Sequence, residues 1–243
     1  MRYWAVTDLG AVRTQNQDAY QVEKLDKNTL LCVVCDGMGG AKAGNVASTL
    51  AAEVFTQEVK RAWKSDLSVD RLEQVLRGAV KLANFTVYDQ AQQFEDFSGM
   101  GTTLVAALIR GKRTTVVNVG DSRAYFITDD GIRQITTDHS LVQMMIARGE
   151  LTPEKAKRYP GKNLITRAIG TEAQVECDVF ELDTAKDTCI LLCTDGLSNL
   201  MDDQEILFEI AHSQDRGDCC ERLLDIAKKR GAPDNVTSVL VAL

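Results

Sequence analysis

The chain has 243 residues, of which 44% are hydrophobic and 26% are charged, and its net charge is −7 at pH 7. These proportions are typical of soluble globular proteins, so a sizeable core is available and extensive disorder is not expected. The acidic balance gives no basic field to attract nucleic acid or an anionic membrane. Because the chain also lacks a secretory leader and an apolar run of membrane-spanning length, we expect a cytoplasmic protein.

Hydrophobic periodicity predicts the elements in chain order. The first part is predicted to hold strands at 2–8, 19–25 and 29–35, then helices at Ala41–Lys64 and Leu67–Gln93. Strands follow at 102–109, 114–119, 123–128 and 132–136, with polar turns at Gly111-Lys112 and Asp129-Asp130-Gly131. After residue 170 the pattern predicts strands at 175–182 and 188–194, helices at 202–211 and 216–230, and a strand at 236–242.

Residues 139–170 break this pattern and read as an excursion from the scaffold. A short helix at Leu141–Arg148 leads into a run of mixed charge, 151–161, that contains two of the three prolines. Strands before and after helices in one chain predict sheets packed together with helices outside them. We expect a single domain over residues 1–243.

The seven cysteines form no regular framework. Cys32 and Cys35 have CxxC spacing but lie in an apolar strand, where a separation of three residues directs their side chains to opposite faces. We therefore predict buried, reduced thiols rather than a metal or redox site.

Four aspartates stand where an apolar run meets a turn marked by glycine or asparagine: Asp36, Asp121, Asp195 and Asp234. Each carboxylate is therefore predicted to lie at the mouth of a sheet. Taken singly, each aspartate has an ordinary explanation as a turn former or helix cap. Several carboxylates converging at one mouth would repel one another unless cations lay between them.

The donor types define which cations suit such a site. The chain has only two histidines, His139 and His212, and both have structural explanations, the first as a cap of the next helix. Oxygen ligands without imidazole or thiolate favour Mg²⁺ or Mn²⁺ over Zn²⁺. Two such ions about 3.5–4 Å apart suit displacement at phosphorus, so hydrolysis of a phosphate ester is the reaction indicated.

Phosphate also needs a positioning cation, and Arg13 is the natural candidate because its planar fork suits a bidentate grip. The alternative is a solvated surface arginine. Gly37, Gly39 and Gly40 either permit a positive φ or form an anion-binding loop, but their spacing is not that of a P-loop.

Taken together, these segments resemble the metal-dependent Ser/Thr protein phosphatases of type 2C, in their compact bacterial form. The resemblance runs from Thr7-Asp8-Leu9-Gly10 to Asp234-Asn235-Val236-Thr237, nearly the whole chain. The other segments that carry it are Arg13-xx-Asn16-x-Asp18, Val34-x-Asp36-Gly37-Met38-Gly39-Gly40, Gly99-Met100-Gly101-Thr102-Thr103, Val119-Gly120-Asp121-Ser122-Arg123, Thr137-x-His139-Ser140 and Thr194-Asp195-Gly196-Leu197. All of these in this order are highly specific.

The resemblance implies an α+β fold, a four-layer α-β-β-α sandwich in which two central antiparallel sheets are flanked by helices. It implies that Asp36 bridges two Mn²⁺ or Mg²⁺ ions, with the Gly37 carbonyl on one of them. Asp195 and Asp234 would bind the other ion, and Asp18 would help through bound water. Asp121 with Asp195 would form the third metal position of bacterial members.

The resemblance also assigns the remaining parts of the reaction. Arg13 would hold the substrate phosphate, and the 139–170 excursion would be a flap beside the metal channel. A water bridging the two ions would attack phosphorus directly, without a phosphoenzyme intermediate. The expected partners are phosphorylated proteins, a bacterial-type Ser/Thr kinase and its substrates, and the expected state is a monomer.

Two departures from the family pattern bear on the chemistry. Met38 stands where eukaryotic relatives carry a histidine that is a proposed acid for the leaving group, and methionine cannot supply a proton. Asn199 stands where some relatives place an acid, and a neutral amide should weaken a third metal. The alternatives left open are a phosphatase for a small phosphoester or a stress-response regulator, and a non-catalytic binding module.

Overall fold

The computed structural model describes residues 1–40, 43–128, 130–156, 158–185, 187–213 and 216–243. Some residues of the predicted features lie outside the described residues. They include Ala41, at the start of the first predicted long helix, Asp129, in a predicted turn, and Lys157, in the excursion. Within these ranges, none of the helices combines the length and the hydrophobicity that a membrane crossing requires.

Eleven strands and seven α-helices are present in the described ranges. The strands are β1 (Arg2–Asp8), β2 (Asp18–Asp26), β3 (Thr29–Met38), β4 (Gly101–Thr102), β5 (Leu104–Arg110), β6 (Arg113–Val119), β7 (Arg123–Thr128), β8 (Gly131–Gln134), β9 (Asp178–Asp183), β10 (Cys189–Cys193) and β11 (Val236–Ala242). The helices are α1 (Ala43–Ala62), α2 (Val69–Gln93), α3 (Leu141–Ala147), α4 (Pro153–Ala156), α5 (Asp195–Ser198), α6 (Asp203–Ala211) and α7 (Cys219–Lys229). Single 3₁₀ turns lie at Glu95–Phe97 and Arg216–Asp218.

The strands form two antiparallel sheets. One has the order β1-β11-β10-β7-β8, and the other has the order β2-β3-β5-β6-β9 with β4 paired to the end of β3. The predicted sandwich of two central antiparallel sheets between helices is confirmed. Because the chain passes between the sheets several times, residues distant in sequence meet at the sheet ends.

Three apolar layers hold the sandwich together. One lies between the two sheets and includes Cys32, Val34, Leu192 and Val239. A second packs α1 and α2 on the β3 sheet, and a third packs α6 and α7 on the β10 sheet. Strands buried on both faces alternate between layers, as expected from their near-continuous apolar sequences.

Strand β3 shows this alternation directly. Leu30, Cys32 and Val34 face the layer between the sheets, while Leu31, Val33 and Cys35 face the helices. The predicted opposite orientation of the two cysteines is confirmed, and both thiols are free and buried. Burial raises the pKa of each thiol, which keeps both protonated and unreactive.

The structure corrects several predicted boundaries. The strand predicted at 102–109 is interrupted at Thr103, because Thr103 bonds to the Asp36 backbone through its own N–H and its hydroxyl. The strand predicted to start at residue 175 starts at Asp178, and α4 and α5 were not predicted. Ser140, not His139, caps α3, since its hydroxyl accepts the Gln143 N–H.

The excursion at 139–170 is anchored to the scaffold at both ends. Ser140 pairs with Ile165, and Ile169 pairs with Thr102 beside the end of β3. Between these pairs lie α3 and α4, so the predicted helix near 141–148 is confirmed. The segment therefore starts and ends next to strands that carry the predicted site residues.

A glycine fixes the closest approach between two chain segments at this end of the sandwich. A Cβ added to Gly196 would lie 1.9 Å from the Asn235 carbonyl oxygen, whereas a Cβ added to Gly78, in α2, would meet nothing within 4 Å. We expect Gly196→Ala to lower the free energy of unfolding by about 1–3 kcal/mol through overpacking. Gly78→Ala, the matched control, should be neutral or stabilising by about 0.5–1 kcal/mol. Denaturant unfolding measures both, and equal stability of the two variants would contradict the close packing at Gly196.

Candidate active site

Asp18 and Asp36 stand opposite each other on neighbouring strands. The antiparallel register of β2 and β3 pairs Asp18 with Asp36, so their side chains leave the sheet on the same face. Thr194, which follows β10 of the other sheet, donates its hydroxyl to Asp18 Oδ2 at 3.0 Å. This hydrogen bond joins the two sheets at their common end.

Asp36 is fixed through its backbone. Its N–H donates to Thr103 Oγ1 at 2.8 Å, and its carbonyl accepts the Thr103 N–H at 2.9 Å. The Thr103 hydroxyl also lies 2.7 Å from the hydroxyl of Ser122, the residue after Asp121. The hydroxyl pair therefore couples the positions of the two aspartates, while the Asp36 side chain remains available to a ligand.

Asp195 opens the short helix α5 directly after β10. Thr194 is the N-cap residue, with extended backbone angles. The Asp195 carboxylate accepts a hydrogen bond from the Asn199 side-chain amide at 3.0 Å. The sequence predicts Asp195 directly after a strand that ends at residue 194. In the structure β10 ends at Cys193, and Asp195 lies in the first turn of α5.

Asp234 and Arg13 form an ion pair. Arg13 Nη2 donates to Asp234 Oδ2 at 2.7 Å, and both side chains are partly exposed. The bond to Asp234 raises the pKa of Arg13, and the charges of Asp36 and Asp195 act in the same direction. Arg13 is thus paired with a carboxylate of the cluster, although its side chain remains about half exposed to solvent.

Asn235 holds the Arg13 loop against the final strand. Its Oδ1 accepts the Gln17 N–H at 2.8 Å, and its Nδ2 donates to the carbonyls of Leu9 and Gln15. The sequence analysis gave Asn235 no role of its own. A buried asparagine beside a candidate ligand was the available signal, since a buried amide must find partners for its donors and acceptor.

Asp121 lies at the end of β6, on a turn that His139 supports. The Gly120 N–H donates to His139 Nδ1 at 3.0 Å, and the His139 N–H donates to the Gly120 carbonyl at 2.9 Å. His139 Nε2 in turn lies 3.2 Å from Asp178 Oδ2. Asp121 itself is only 8% exposed, so the turn carries a buried carboxylate into the site.

Burial and mutual repulsion dominate the electrostatics. Burial raises the pKa of Asp18 to about 7 and that of Asp121 to about 7. Burial also raises the pKa of Asp36 well above its usual range, and Asp18, Asp195, Asp121 and Asp234 add to the effect by repulsion. The pKa of Asp195 is raised by burial and by Asp234, although a hydrogen bond with the Asp36 carboxyl opposes the rise. All five carboxylates therefore share one electrostatic environment.

The residues present fit hard divalent cations. Asp18 Oδ1 and Asp121 Oδ1 are buried and have no hydrogen-bond partner among the described residues, which a metal or its water would satisfy. The donors are all oxygens, as Mg²⁺ and Mn²⁺ prefer. In the described part of the chain, no three acidic, histidine or cysteine side chains are yet close enough to hold one ion.

A groove of about 870 Å³ runs from Asp121 and Asp195 between the excursion and the start of α6. Its walls include Gln143 and Ile146 of α3 on one side and residues 198–205 on the other. A groove of this volume admits a segment of polypeptide side chains next to the carboxylates.

The comparisons with known proteins agree with this architecture. The profile of the family described as Protein phosphatase 2C matches residues 11–237. A serine/threonine phosphatase, stp, from Listeria welshimeri is 35% identical over 238 residues, covering 97% of this chain and 93% of that protein. The crystal structure of serine/threonine phosphatase Stp1 from Staphylococcus aureus superposes with a TM-score of 0.93 at 37% identity, covering 99% and 94% of the two chains.

A further structure is the catalytic domain of the serine threonine protein phosphatase PstP in complex with two manganese ions. It has a TM-score of 0.84 and 35% identity, covering 98% of this chain and 96% of that one. The fold and the site thus define a phosphatase-type sandwich with an acidic centre. The chain belongs to the protein phosphatase 2C family, and the predicted family is confirmed.

The raised pKa values make the stability of the metal-free protein depend on pH. Between about pH 4 and pH 7 native Asp18 keeps a proton that the unfolded chain has released, since an unfolded aspartate has a pKa of about 3.9. Its contribution to stability is therefore complete below about pH 4 and is lost as the pH rises through about 7. We expect the Tm in EDTA to fall between pH 5 and pH 8, and Asp18→Asn to reduce that fall.

The control is Asp66→Asn, on an exposed turn before α2. It should keep the wild-type dependence of Tm on pH. Identical pH profiles for wild type and Asp18→Asn would contradict the assignment of a raised pKa to Asp18.

Proposed function

We propose that this protein is a metal-dependent protein serine/threonine phosphatase that removes phosphate from phosphoserine and phosphothreonine. The observation that carries the proposal is the grouping of Asp18, Asp36 and Asp195 from two sheets at one end of the sandwich, beside a groove that Asp121 and Asp195 line. Two of the buried carboxylate oxygens, on Asp18 and Asp121, have no partner among the described residues. Relatives named serine/threonine phosphatases, one of them solved with two manganese ions, support the same activity and the same metal.

Each aspartate is proposed to hold metal as the family pattern implies. Asp36 lies between Asp18 and Asp195, which suits a bridging carboxylate, and the Gly37 carbonyl is the next oxygen along the chain. A Cβ on Gly37 would lie 2.1 Å from the Gly44 carbonyl, so only glycine fits there. Asp195 and Asp234 would hold the second ion, and Asp18, fixed by Thr194, would act through bound water.

Two bound Mn²⁺ or Mg²⁺ ions would lower the pKa of water to produce a nucleophile and would neutralise the phosphoryl oxygens. The residues of the chain orient that chemistry. Thr103, Thr194 and Asn235 hold the aspartates in place through hydrogen bonds to their backbones or side chains. Arg13, which donates to Asp234 through Nη2, is proposed to donate its remaining N–H groups to a pair of phosphate oxygens.

We propose that the leaving group would take its proton from a metal-bound water or from solvent rather than from a histidine. Met38, at the end of β3, has no proton to give, and His139 is engaged with Gly120 and Asp178. We infer that the groove beside the site accepts phosphoprotein segments. We also propose a monomer of one catalytic domain over residues 1–243, with 139–170 as its flap, which opposes a Ser/Thr kinase.

Turnover of p-nitrophenyl phosphate and of a phosphothreonine peptide tests the proposal. We expect both reactions to require Mn²⁺ and to stop when EDTA is added, because the proposed nucleophile is a water whose pKa the ions would lower. Asp36→Asn removes one negative charge from the centre and should lower kcat by about 10³-fold or more at unchanged fold. Well-folded protein without Mn²⁺-dependent turnover would move the assignment to a non-catalytic binding module.

Arg13 variants test substrate binding in the same assay. Arg13→Ala should mainly raise KM, since the contact to phosphate is present in the ground state and in the transition state. Arg13→Lys keeps the charge but loses the planar fork, so its KM should lie between those of wild type and Arg13→Ala. A fall in kcat with unchanged KM would contradict the phosphate-binding role.

A further inference from the structure

Asn199 occupies one side of the Asp195 carboxylate. Its side-chain Nδ2 donates to Asp195 Oδ2 at 3.0 Å, and its backbone N–H donates to the Asp195 carbonyl at 2.8 Å. The second bond makes Asn199 the C-cap of α5, which places its side chain beside Asp195. Part of the acceptor capacity of Asp195 on the side of the groove is therefore already used.

A further acid that lines this groove with Asp121, Asp138, is paired with an arginine. Asp138 lines the groove, but Arg123 binds it through three contacts of 2.6–3.1 Å, and Gln134 Nε2 donates to it at 2.8 Å. Asp138 is thus committed to a structural ion pair. Both oxygens of Asp138 already accept hydrogen bonds, so Asp138 offers no free oxygen to a cation in the groove.

A flap cation acts at the same place. Lys162, from the excursion, lines the groove together with Asp121 and Asp195. A positive charge in the wall of this groove repels a further cation bound inside it.

We propose that Asn199 and Lys162 keep a third divalent cation from binding strongly between Asp121 and Asp195, so that this chain works with two ions. A third ion there would gain two carboxylates, but Asn199 offers at most a neutral amide oxygen in place of a third carboxylate, and the Lys162 ammonium lines the same groove. Asn199 and Lys162 are positioning residues in this account, since they act through Asp195. The inference rests on the proposed function, because it concerns the ions of that same centre.

Counting bound Mn²⁺ tests the proposal without relying on turnover. Calorimetric titration of the metal-free wild type with MnCl₂ should give two ions per chain, with any third ion far weaker. Asn199→Asp replaces the neutral amide by a carboxylate. It should raise the affinity for a third Mn²⁺ ion by about tenfold or more. Lys162→Gln removes the positive charge of the flap without altering α5. It should also strengthen binding of the third ion, independently of Asn199→Asp.

The matched control is Gln204→Glu, which adds the same negative charge to the groove on α6 without touching Asp195. It should leave the count at two. Three ions of similar affinity in the wild type, or an unchanged third affinity in both Asn199→Asp and Lys162→Gln, would overturn the inference while leaving the proposed function in place. Fewer than two ions in the wild type would contradict the proposed function as well as the inference.

Discussion

The confinement of several carboxylates at one end of the sandwich is the constraint on which the rest of the structure depends. Asp18, Asp36 and Asp195 come from strand ends or helix starts of both sheets, and their raised pKa values show that burial disfavours their charged forms. Such a centre is destabilising by itself at neutral pH. Divalent cations remove the conflict, because they supply positive charge among the buried carboxylates beyond that of Arg13, which is paired with Asp234.

The scaffold is arranged to keep this centre together. Thr194 joins the β10 sheet to Asp18, Thr103 joins β5 to Asp36, and Asn235 ties the Arg13 loop to β11. Each of these is a buried polar residue whose hydrogen bonds run between segments far apart in the chain. The apolar layers make the sandwich stable, whereas these polar bonds set the distances between the acids.

Much of this arrangement could be predicted from residue patterns. Aspartates after apolar runs indicated a sheet mouth, and the alternation in β3 placed Cys32 and Cys35 on opposite faces. The patterns missed the break at Thr103, the short helix α5 and the cap at Ser140, because each depends on hydrogen bonds that form only in the folded chain. The supporting role of His139 behind Gly120 was missed for the same reason. Local periodicity reports burial well, but it does not report which distant partner a polar side chain finds.

Anomalous scattering at the manganese edge, from crystals grown with MnCl₂, tests the central claim most directly. The account predicts two strong peaks, both in contact with Asp36, with Asp195 and Asp234 beside one of them. Crystals of the folded protein without a peak among these carboxylates, or with manganese bound only elsewhere, would contradict it.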